Sequence, residues 1–491
     1  MHARIWRCAV KRFFPFVDGC PIEGTLTRGI RSPYDDGLVA EVSWGDGALV
    51  ERAIEATILG ARIMRDTALY RRQEILRRTS GLLSERADEL AEIIAGEAGK
   101  PIRHARAEVR RAAVTFSLAA GEVSALAGEA LPLDVSPNGT RRLGITRRMP
   151  IGAIAGITPF NFPLNLVAHK VAPALAAGNA IVVKPASATP ISALRLAQIL
   201  SEAGLPPGAC NVVPCSAADA GVLVADERIA MVTFTGSAEV GWGVKGACGK
   251  KRVCLELGGN AAVIVEPDAD LARAAKRIAV GGYAYAGQVC ISVQRVFVHR
   301  SAWDAFHEHY LPEVNALKLG DPMDPATDIG PVINDAAASR IEQWVREAVD
   351  AGGRLLMGGK RRGRLVEATV LADVPESCRV VAEEAFAPLT VVQPYSSLGE
   401  ALDAVNGSRF GLQAGIFTGR LDSALAAFDA LHVGGVIVND SSMFRVDSMP
   451  YGGVKDSGLG REGVASAIRE MTEQRIMVVE MPQSPGLTPS S

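Results

Sequence analysis

A cysteine and a glutamate carry the clearest chemistry in this chain. Cys290 ends the segment Tyr283-Ala284-Tyr285-Ala286-Gly287-Gln288-Val289-Cys290, and Glu256 lies 34 residues upstream in Leu255-Glu256-Leu257-Gly258-Gly259-Asn260. A thiol in a Gly-Gln-X-Cys turn suits a covalent nucleophile, and a carboxylate beside paired glycines suits a general base. Farther upstream, Thr158-Pro159-Phe160-Asn161-Phe162-Pro163 offers the Asn161 amide.

These residues need a frame. Residues 48–128 carry helical periodicity, in stretches at 48–65, 68–96 and 103–127. From residue 151 the pattern changes to short apolar runs at 151–157, 180–184, 210–214 and 231–234, the reading for buried parallel strands. Helical segments at 164–177, 191–203 and 217–225 separate them. Such alternation predicts a doubly wound α/β unit whose ligands bind beyond the carboxyl ends of the strands. A second α/β segment runs from about residue 260 to 452, with strand candidates at 261–265, 294–299, 391–393 and 435–439. Residues 131–149 read as an excursion with a hairpin, and 475–480 as a final short strand. An apolar strand so late in the chain needs a partner edge.

Phe234-Thr235-Gly236-Ser237-Ala238-Glu239-Val240-Gly241 follows a strand and opens a helix. Gly236 lets the backbone approach a pyrophosphate, and the helix start supplies amide donors. The segment is neither the GxGxxG fingerprint nor a P-loop, since Trp242-Gly243 stands where Lys-Ser/Thr is required. Lys184-Pro185-Ala186-Ser187 ends the second strand, and Ser187 also reads as a helix cap.

Composition narrows the classes. The chain has 491 residues, 48% hydrophobic and 22% charged, with a net charge of -2. That suits a soluble enzyme of two or three domains and gives no general attraction to nucleic acid or membrane. No apolar stretch of about 18 residues or more is present, so no membrane span is expected. The eight cysteines form no CxxC pair and the seven histidines show no paired ligand spacing, so no metal site is expected. A reducing, cytoplasmic setting fits an enzyme that needs a free thiol. The basic stretch 1–16 reads as a targeting peptide, an N-terminal arm or a displaced start, and 485–491 as a flexible tail.

Taken together, Cys290, Glu256, Asn161, the 234–241 loop and Glu383-Glu384-Ala385-Phe386-Ala387-Pro388 resemble, in order and spacing, the aldehyde dehydrogenase superfamily. The resemblance runs from about Ser32 to about Val479. It implies a Rossmann-type cofactor domain (1–127 and 151–258), an α/β catalytic domain (259–455) and a small β oligomerisation arm (128–150 and 472–484). The arm implies a homodimer or homotetramer. The resemblance also implies oxidation of an aldehyde to the acid with NAD(P)+, through a thiohemiacetal and a thioester on Cys290. Glu256 would activate water, the Asn161 amide and the Cys290 N–H would hold the oxyanion, and Lys170 would support Asn161 and a proton route. Thr158, Pro159, Phe160, Lys184, Ser187, Gly236, Ser237, Val240, Leu257, Gly258, Glu384 and Phe386 would hold the cofactor. Relatives that prefer NAD commonly have Glu where this chain has Ser187. A serine does not repel a 2′-phosphate, so NADP or dual use is expected. Cys215 stands where relatives usually have Gly, next to the adenine-side loop.

The substrate funnel implied by the resemblance contains Arg110, Phe162, Asn165, Leu166, His169, Ala284, Val289, Ile291 and Arg445. Arg110 and Arg445 would suit an aldehyde with an anionic tail. Phe444–Gly453 resembles a subgroup of lactaldehyde, phosphonoacetaldehyde and non-phosphorylating glyceraldehyde-3-phosphate dehydrogenases. Val289 stands where the phosphonate and triose-phosphate enzymes tend to have Arg. Neutral hydroxyaldehydes stay open, for Arg110 could be an exposed helix arginine beside Arg111, and Arg445 could pair with Asp447. A coenzyme A-acylating semialdehyde dehydrogenase is the alternative reaction, against which Glu256 speaks. A non-catalytic use of the fold is the other reading.

Overall fold

The computed structural model describes residues 11–482. Its largest sheet has five parallel strands at its centre, in the spatial order Arg252–Glu256, Met231–Thr235, Ala153–Ile157, Ala180–Lys184, Cys210–Val212. Almost every residue of these strands inward from the edge is buried, as helices on both faces require. The chain winds one way from Ala153–Ile157 through the strands at 180 and 210, then returns to build the strands at 231 and 252 on the other side. The crevice where the order reverses therefore opens between Ile157 and Thr235, the place where such sheets bind ligands.

Short antiparallel strands close both edges. Phe16–Val17 pairs with Cys210–Val212, and Gly458–Leu459 pairs with Arg252–Glu256. The second pairing carries the chain beyond residue 455 back to the first sheet, and it brings Glu462 beneath the crevice.

Two buried carboxylates cap the helices behind the crevice. Every residue of the helix Asn165–Ala177 is buried, so its first amide groups cannot reach water. Glu108 accepts from the N–H groups of Leu164 (2.9 Å) and Asn165 (3.1 Å), and it also pairs with the buried Lys100. Glu97 does the same for the helix Ile191–Glu202, accepting from Ile191 N (2.8 Å) and Ser192 N (3.0 Å). That helix starts after Pro190 with no side-chain cap of its own, so Ser187 does not cap it.

The second sheet has seven strands, in the order Arg354–Met357, Thr369–Ala372, Leu389–Tyr395, Arg295–His299, Ala262–Val265, Gln413–Phe417, Gly435–Val438. All pairings are parallel except that of Arg354–Met357. A third sheet is the small arm, in which Arg142–Pro150 runs between Ala130–Pro132 and Thr472–Glu480. Its outer strand exposes Ile476, Met477, Val478 and Val479 in succession, so both faces of that strand are open.

The α/β architecture expected from the alternation, with a Rossmann-type sheet, a second α/β unit and a β arm, is present. Several local expectations are corrected. Residues 68–96 are two helices, Leu69–Glu85 and Ala87–Ala98, broken at Arg86. The structure adds the strands Leu26–Arg31, Leu38–Trp44, Arg354–Met357, Thr369–Ala372 and Gln413–Phe417 to those expected. The expected tail at 485–491 and residues 1–10 lie outside the described residues.

Candidate active site

A cavity of about 400 Å³ lies between the carboxyl ends of the first sheet and the amino ends of the second. From the first come Pro159–Asn161, Thr235–Ser237 and Glu256–Gly258. From the second come Val289–Ile291, Glu384 and Phe386, with Met443, Arg445 and Tyr451 from the loop after Gly435–Val438.

The cysteine loop is bent hard. Tyr285 (φ 51°), Ala286 (φ 54°) and Gly287 (φ 65°) lie consecutively in the left-handed region, which costs non-glycine residues energy. Outside contacts hold the bend. Tyr285 donates to Ala98 O (2.9 Å), Gln288 Oε1 accepts from Ile333 N (2.9 Å), and Asn161 Nδ2 donates to Gln288 O (2.9 Å). A Cβ on Gly287 would come within 1.8 Å of Ala387 O, so this position tolerates only glycine. The glycine pair beyond Glu256 makes room in the same way. A Cβ on Gly258 would meet Glu384 Oε2 at 2.4 Å, and one on Gly259 would meet Cys290 O at 2.3 Å.

Cys290 Sγ lies 3.0 Å from the Tyr451 hydroxyl. Burial pushes the thiol up to about 11, against the hydrogen bond from Tyr451 and the charge of Arg445. Glu256 is buried, and neither of its carboxylate oxygens has a partner among the described residues. Burial and the nearby Glu462 raise it well above the usual carboxylate range, against the charges of Arg445, Lys170 and Arg461. Burial would raise Glu462 too, but the charges of Lys170 and Arg445 and the hydrogen bond from Lys170 outweigh it and keep Glu462 ionised. The site thus holds one carboxylate kept ionised by its cationic neighbours and one, Glu256, whose proton affinity burial and a like charge raise.

Lys170 Nζ donates to Thr233 Oγ1 (3.1 Å) and Glu462 Oε1 (2.9 Å). Its expected support of Asn161 is therefore not direct, because its bonds run to the strand and to Glu462. Glu462 went unnoticed in the sequence, where it sits among the polar residues of a glycine-rich tail.

The expected funnel is corrected at three positions, Arg110, His169 and Ala284. Arg110 is exposed on its helix and does not reach the cavity, while Arg111, one residue and about 100° around the helix, does. His169 lies behind the wall: its Nε2 is 2.8 Å from Asp447 Oδ1, and its Nδ1 is 3.3 Å from Arg445 Nη2. Burial and Arg445 lower His169, so the neutral imidazole donates to Asp447 and accepts from Arg445. Arg111 also holds Asp447, at 2.6 and 3.2 Å. Asp447 is therefore Arg111's partner, and Arg445 pairs instead with Glu462 (3.3 Å). Of the other expected funnel residues, Phe162, Asn165, Leu166, Val289 and Ile291 line the cavity, and Ala284 does not.

The cofactor residues divide similarly. Pro159, Phe160, Gly236, Ser237, Leu257, Gly258, Glu384 and Phe386 line the cavity. Thr158, Lys184, Ser187 and Val240 do not; Ser187 and Val240 are exposed outside it, and Lys184 Nζ donates to Pro185 O (3.2 Å). The helix Ala238–Ala247 opens at the cavity with Ser237 at its cap position. Beside the crevice, the hydroxyls of Thr158 and Thr235 are buried without partners among the described residues. Unpaired buried hydroxyls at a strand-order reversal fit a bound dinucleotide that would satisfy them. Glu384 accepts from Gly259 N (3.0 Å), and burial pushes it up to about 7 against that bond and the charges of Arg340 and Arg409. Arg340 also lines the cavity, a residue that nothing in its helical sequence context distinguishes from a surface arginine. Cys215 is buried beside Lys184, and burial raises its thiol to about 11.

Among the described residues no group of three or more His, Cys, Asp or Glu is placed to hold a metal ion, and no helix is long and apolar enough to cross a membrane.

The same residues and frame recur in known proteins. The description "Aldehyde dehydrogenase family" matches residues 24–477. The 3-sulfolactaldehyde dehydrogenase of Priestia aryabhattai is 46% identical over 413 residues, 84% of this chain and 87% of that protein. Aldehyde dehydrogenase 21 of Physcomitrella patens, solved in complex with the reaction product succinate, superposes with a TM-score of 0.94 at 42% identity, over 98% of this chain and all of that one (100%). The glyceraldehyde-3-phosphate dehydrogenase GapN of Methanocaldococcus jannaschii, solved with NADP, gives a TM-score of 0.88 at 38% identity, over 92% of this chain and 98% of that one. With likeness of this depth along nearly its whole length, the chain belongs to the aldehyde dehydrogenase family and is an NAD(P)-dependent enzyme that oxidises an aldehyde to the carboxylic acid.

Proposed function

We propose that this enzyme oxidises a small aldehyde bearing an anionic tail. The observation that carries the reading is that Arg111 and Arg445 open onto the same cavity as Cys290 Sγ. The bridge Arg111–Asp447–His169–Arg445 fixes their spacing. Guanidinium groups held by buried partners present their remaining N–H donors in fixed directions, which suits a carboxylate or sulfonate. The relatives named for 3-sulfolactaldehyde and solved with succinate support the same class. A second reading, a neutral hydroxyaldehyde, is favoured by the fact that each arginine already faces an acid of its own.

In this reading Cys290 attacks the aldehyde carbon as the thiolate, forming the C–S bond and an oxyanion. The second hydrogen of the Asn161 amide and the Cys290 N–H would hold that oxyanion. NAD(P)+, held by Gly236, Ser237, Glu384 and Phe386, would accept hydride from that carbon, so that Cys290 would be left as the thioester. Glu256 takes a proton from water, the hydroxide adds to the thioester carbon, and the C–S bond breaks to release acid and thiolate. This hydrolytic ending makes coenzyme A unnecessary.

The first sheet with its helices forms the dinucleotide-binding unit, and the second the catalytic unit. Ser187 brings no carboxylate to repel a 2′-phosphate, which supports NADP or dual use. The open outer strand Thr472–Glu480, with apolar side chains on both faces, supports a homodimer or homotetramer. A reducing cytoplasm is the setting that keeps Cys290 free.

Initial rates of NADH and NADPH formation across succinic semialdehyde, glyceraldehyde-3-phosphate, lactaldehyde, glycolaldehyde and benzaldehyde test the substrate class, with Cys290→Ala as the blank. Preference for an anionic member is expected. Equal or better rates with neutral aldehydes would move the assignment to the second reading.

A further inference from the structure

We infer that Tyr451 is a catalytic residue of this enzyme, the hydrogen-bond donor that holds the Cys290 thiolate ready for attack. The inference rests on Cys290 being the nucleophile, as proposed above.

Among the described residues the Tyr451 hydroxyl makes the one hydrogen bond to Cys290 Sγ, at 3.0 Å. Either atom can donate while the thiol is protonated. Once the sulfur is a thiolate, only the phenol has a proton to give. The bond is then charge-assisted and stronger, so it favours the thiolate over the thiol. The Asn161 amide makes no hydrogen bond to the sulfur; its Nδ2 donates to Gln288 O.

Tyr451 is held more firmly than a cavity side chain needs for packing alone. Its N–H donates to Glu462 O (3.0 Å), and its carbonyl accepts from Glu462 N (2.6 Å). Glu462 is in turn fixed by Lys170 and Arg445. The Arg445 guanidinium lies over the Tyr451 ring, 3.5 Å from its centroid. A cation on the ring face draws electron density from the phenol and makes its O–H a better donor. The next residue, Gly452, leaves room for the base: a Cβ there would lie 2.8 Å from Glu256 Oε1. One short turn therefore sets the donor to the nucleophile and clears space for the general base.

The arrangement also answers a difficulty of the site. Burial disfavours a thiolate at Cys290, and the nearby Glu384 and Glu256 disfavour it further. A fixed donor at the sulfur offsets part of that penalty without adding a full charge that would compete for the substrate's tail.

The test is the pH dependence of Cys290 alkylation by iodoacetamide on the full-length enzyme, with modification mapped by peptide mass spectrometry. Tyr451→Phe keeps the ring and its stacking on Arg445 but removes the donor. The apparent thiol pKa is expected to rise by about one unit, a roughly tenfold slower alkylation near neutral pH. NADP+ affinity and Tm are expected to stay as in the wild type. Placing 3-fluorotyrosine at position 451 keeps the shape and strengthens the donor, and the apparent pKa is expected to fall; this variant decides the matter if Tyr451→Phe does not fold. Alkylation profiles that superimpose on the wild type in both proteins would overturn the inference. Retained dehydrogenase activity in Cys290→Ala would instead remove the reading on which the inference rests.

Discussion

Gly259 lies directly against the carbonyl oxygen of Cys290, so close that a single added methyl carbon would sit 2.3 Å from it. The connection between the two sheets thus runs through a contact that fixes where Cys290 stands relative to the strand bearing Glu256. The neighbouring Gly258 makes the same accommodation for Glu384.

Gly259→Ala is expected to displace the Cys290 turn, because a backbone carbonyl cannot swing aside as a long side chain can. Activity should fall at least a hundredfold, with a Tm loss of several degrees. Gly243→Ala, where a Cβ meets nothing within 4 Å, is the control and should match the wild type in both measurements.

Glu256→Gln is expected to stop the reaction after its first half. Stopped-flow absorbance should show a burst of about one NAD(P)H per active site, followed by a steady rate lowered roughly 10²- to 10⁴-fold, the usual range for loss of a general base. Intact-mass spectrometry of the quenched enzyme should find the acyl adduct on Cys290. A variant with no burst and no adduct would place Glu256 before the thioester rather than after it.

Replacing the arginines separates wall from surface. Arg111→Ala should raise KM for an anionic aldehyde by roughly 10- to 100-fold, as loss of a charge-assisted hydrogen bond of about 1.5–3 kcal/mol does. Arg110→Ala should leave KM and kcat unchanged, because Arg110 is exposed and does not line the cavity. The comparison needs only steady-state kinetics with one charged and one neutral aldehyde. An equal effect on both substrates would show that Arg111 acts by holding Asp447 in place.

The pH profile should rise toward alkali. Burial pushes the Cys290 thiol up to about 11 and raises Glu256 well above the usual carboxylate range. Both reactive forms are the deprotonated ones, so both gain population as pH increases. Below the thiol's pKa the thiolate fraction grows about tenfold per pH unit. Single-turnover rates and alkylation rates between pH 6 and 9 should climb together; a flat alkylation rate across that range would mean the thiolate is already formed at neutral pH.

Glu97 should make stability depend on pH in the opposite sense to a surface carboxylate. Burial pushes it from 4.5 up to about 7, against its bonds from Ser192 and Ile191. A carboxyl whose pKa is raised by folding contributes stability that is fully present below about 4.5 and is lost as pH rises through about 7. Thermal melts at pH 5.5 and 8 should therefore differ less in Glu97→Gln than in the wild type. An unchanged difference would assign the pH dependence to other groups.

The sequence by itself determined the family and the alternation of strands and helices in the first unit, and it picked out Cys290, Glu256 and Asn161, which the structure gathers at one cavity. Those features are local: a turn glycine, a glycine pair and an apolar run of strand length each leave a mark within a few residues. The tertiary structure alone decided which charges face the cavity. Arg110 and Arg111 are adjacent, and only the docking of their helix selects one of them for the wall. His169 looked like a funnel residue because its neighbours are, but the buried helix turns it onto Asp447. Glu462 and Tyr451 were invisible for a related reason. They lie far along the chain from Cys290 and Lys170, and only the return of Gly458–Leu459 to the first sheet brings them together. Electrostatics in a buried site depends on distances across the fold, and no spacing along the chain encodes them.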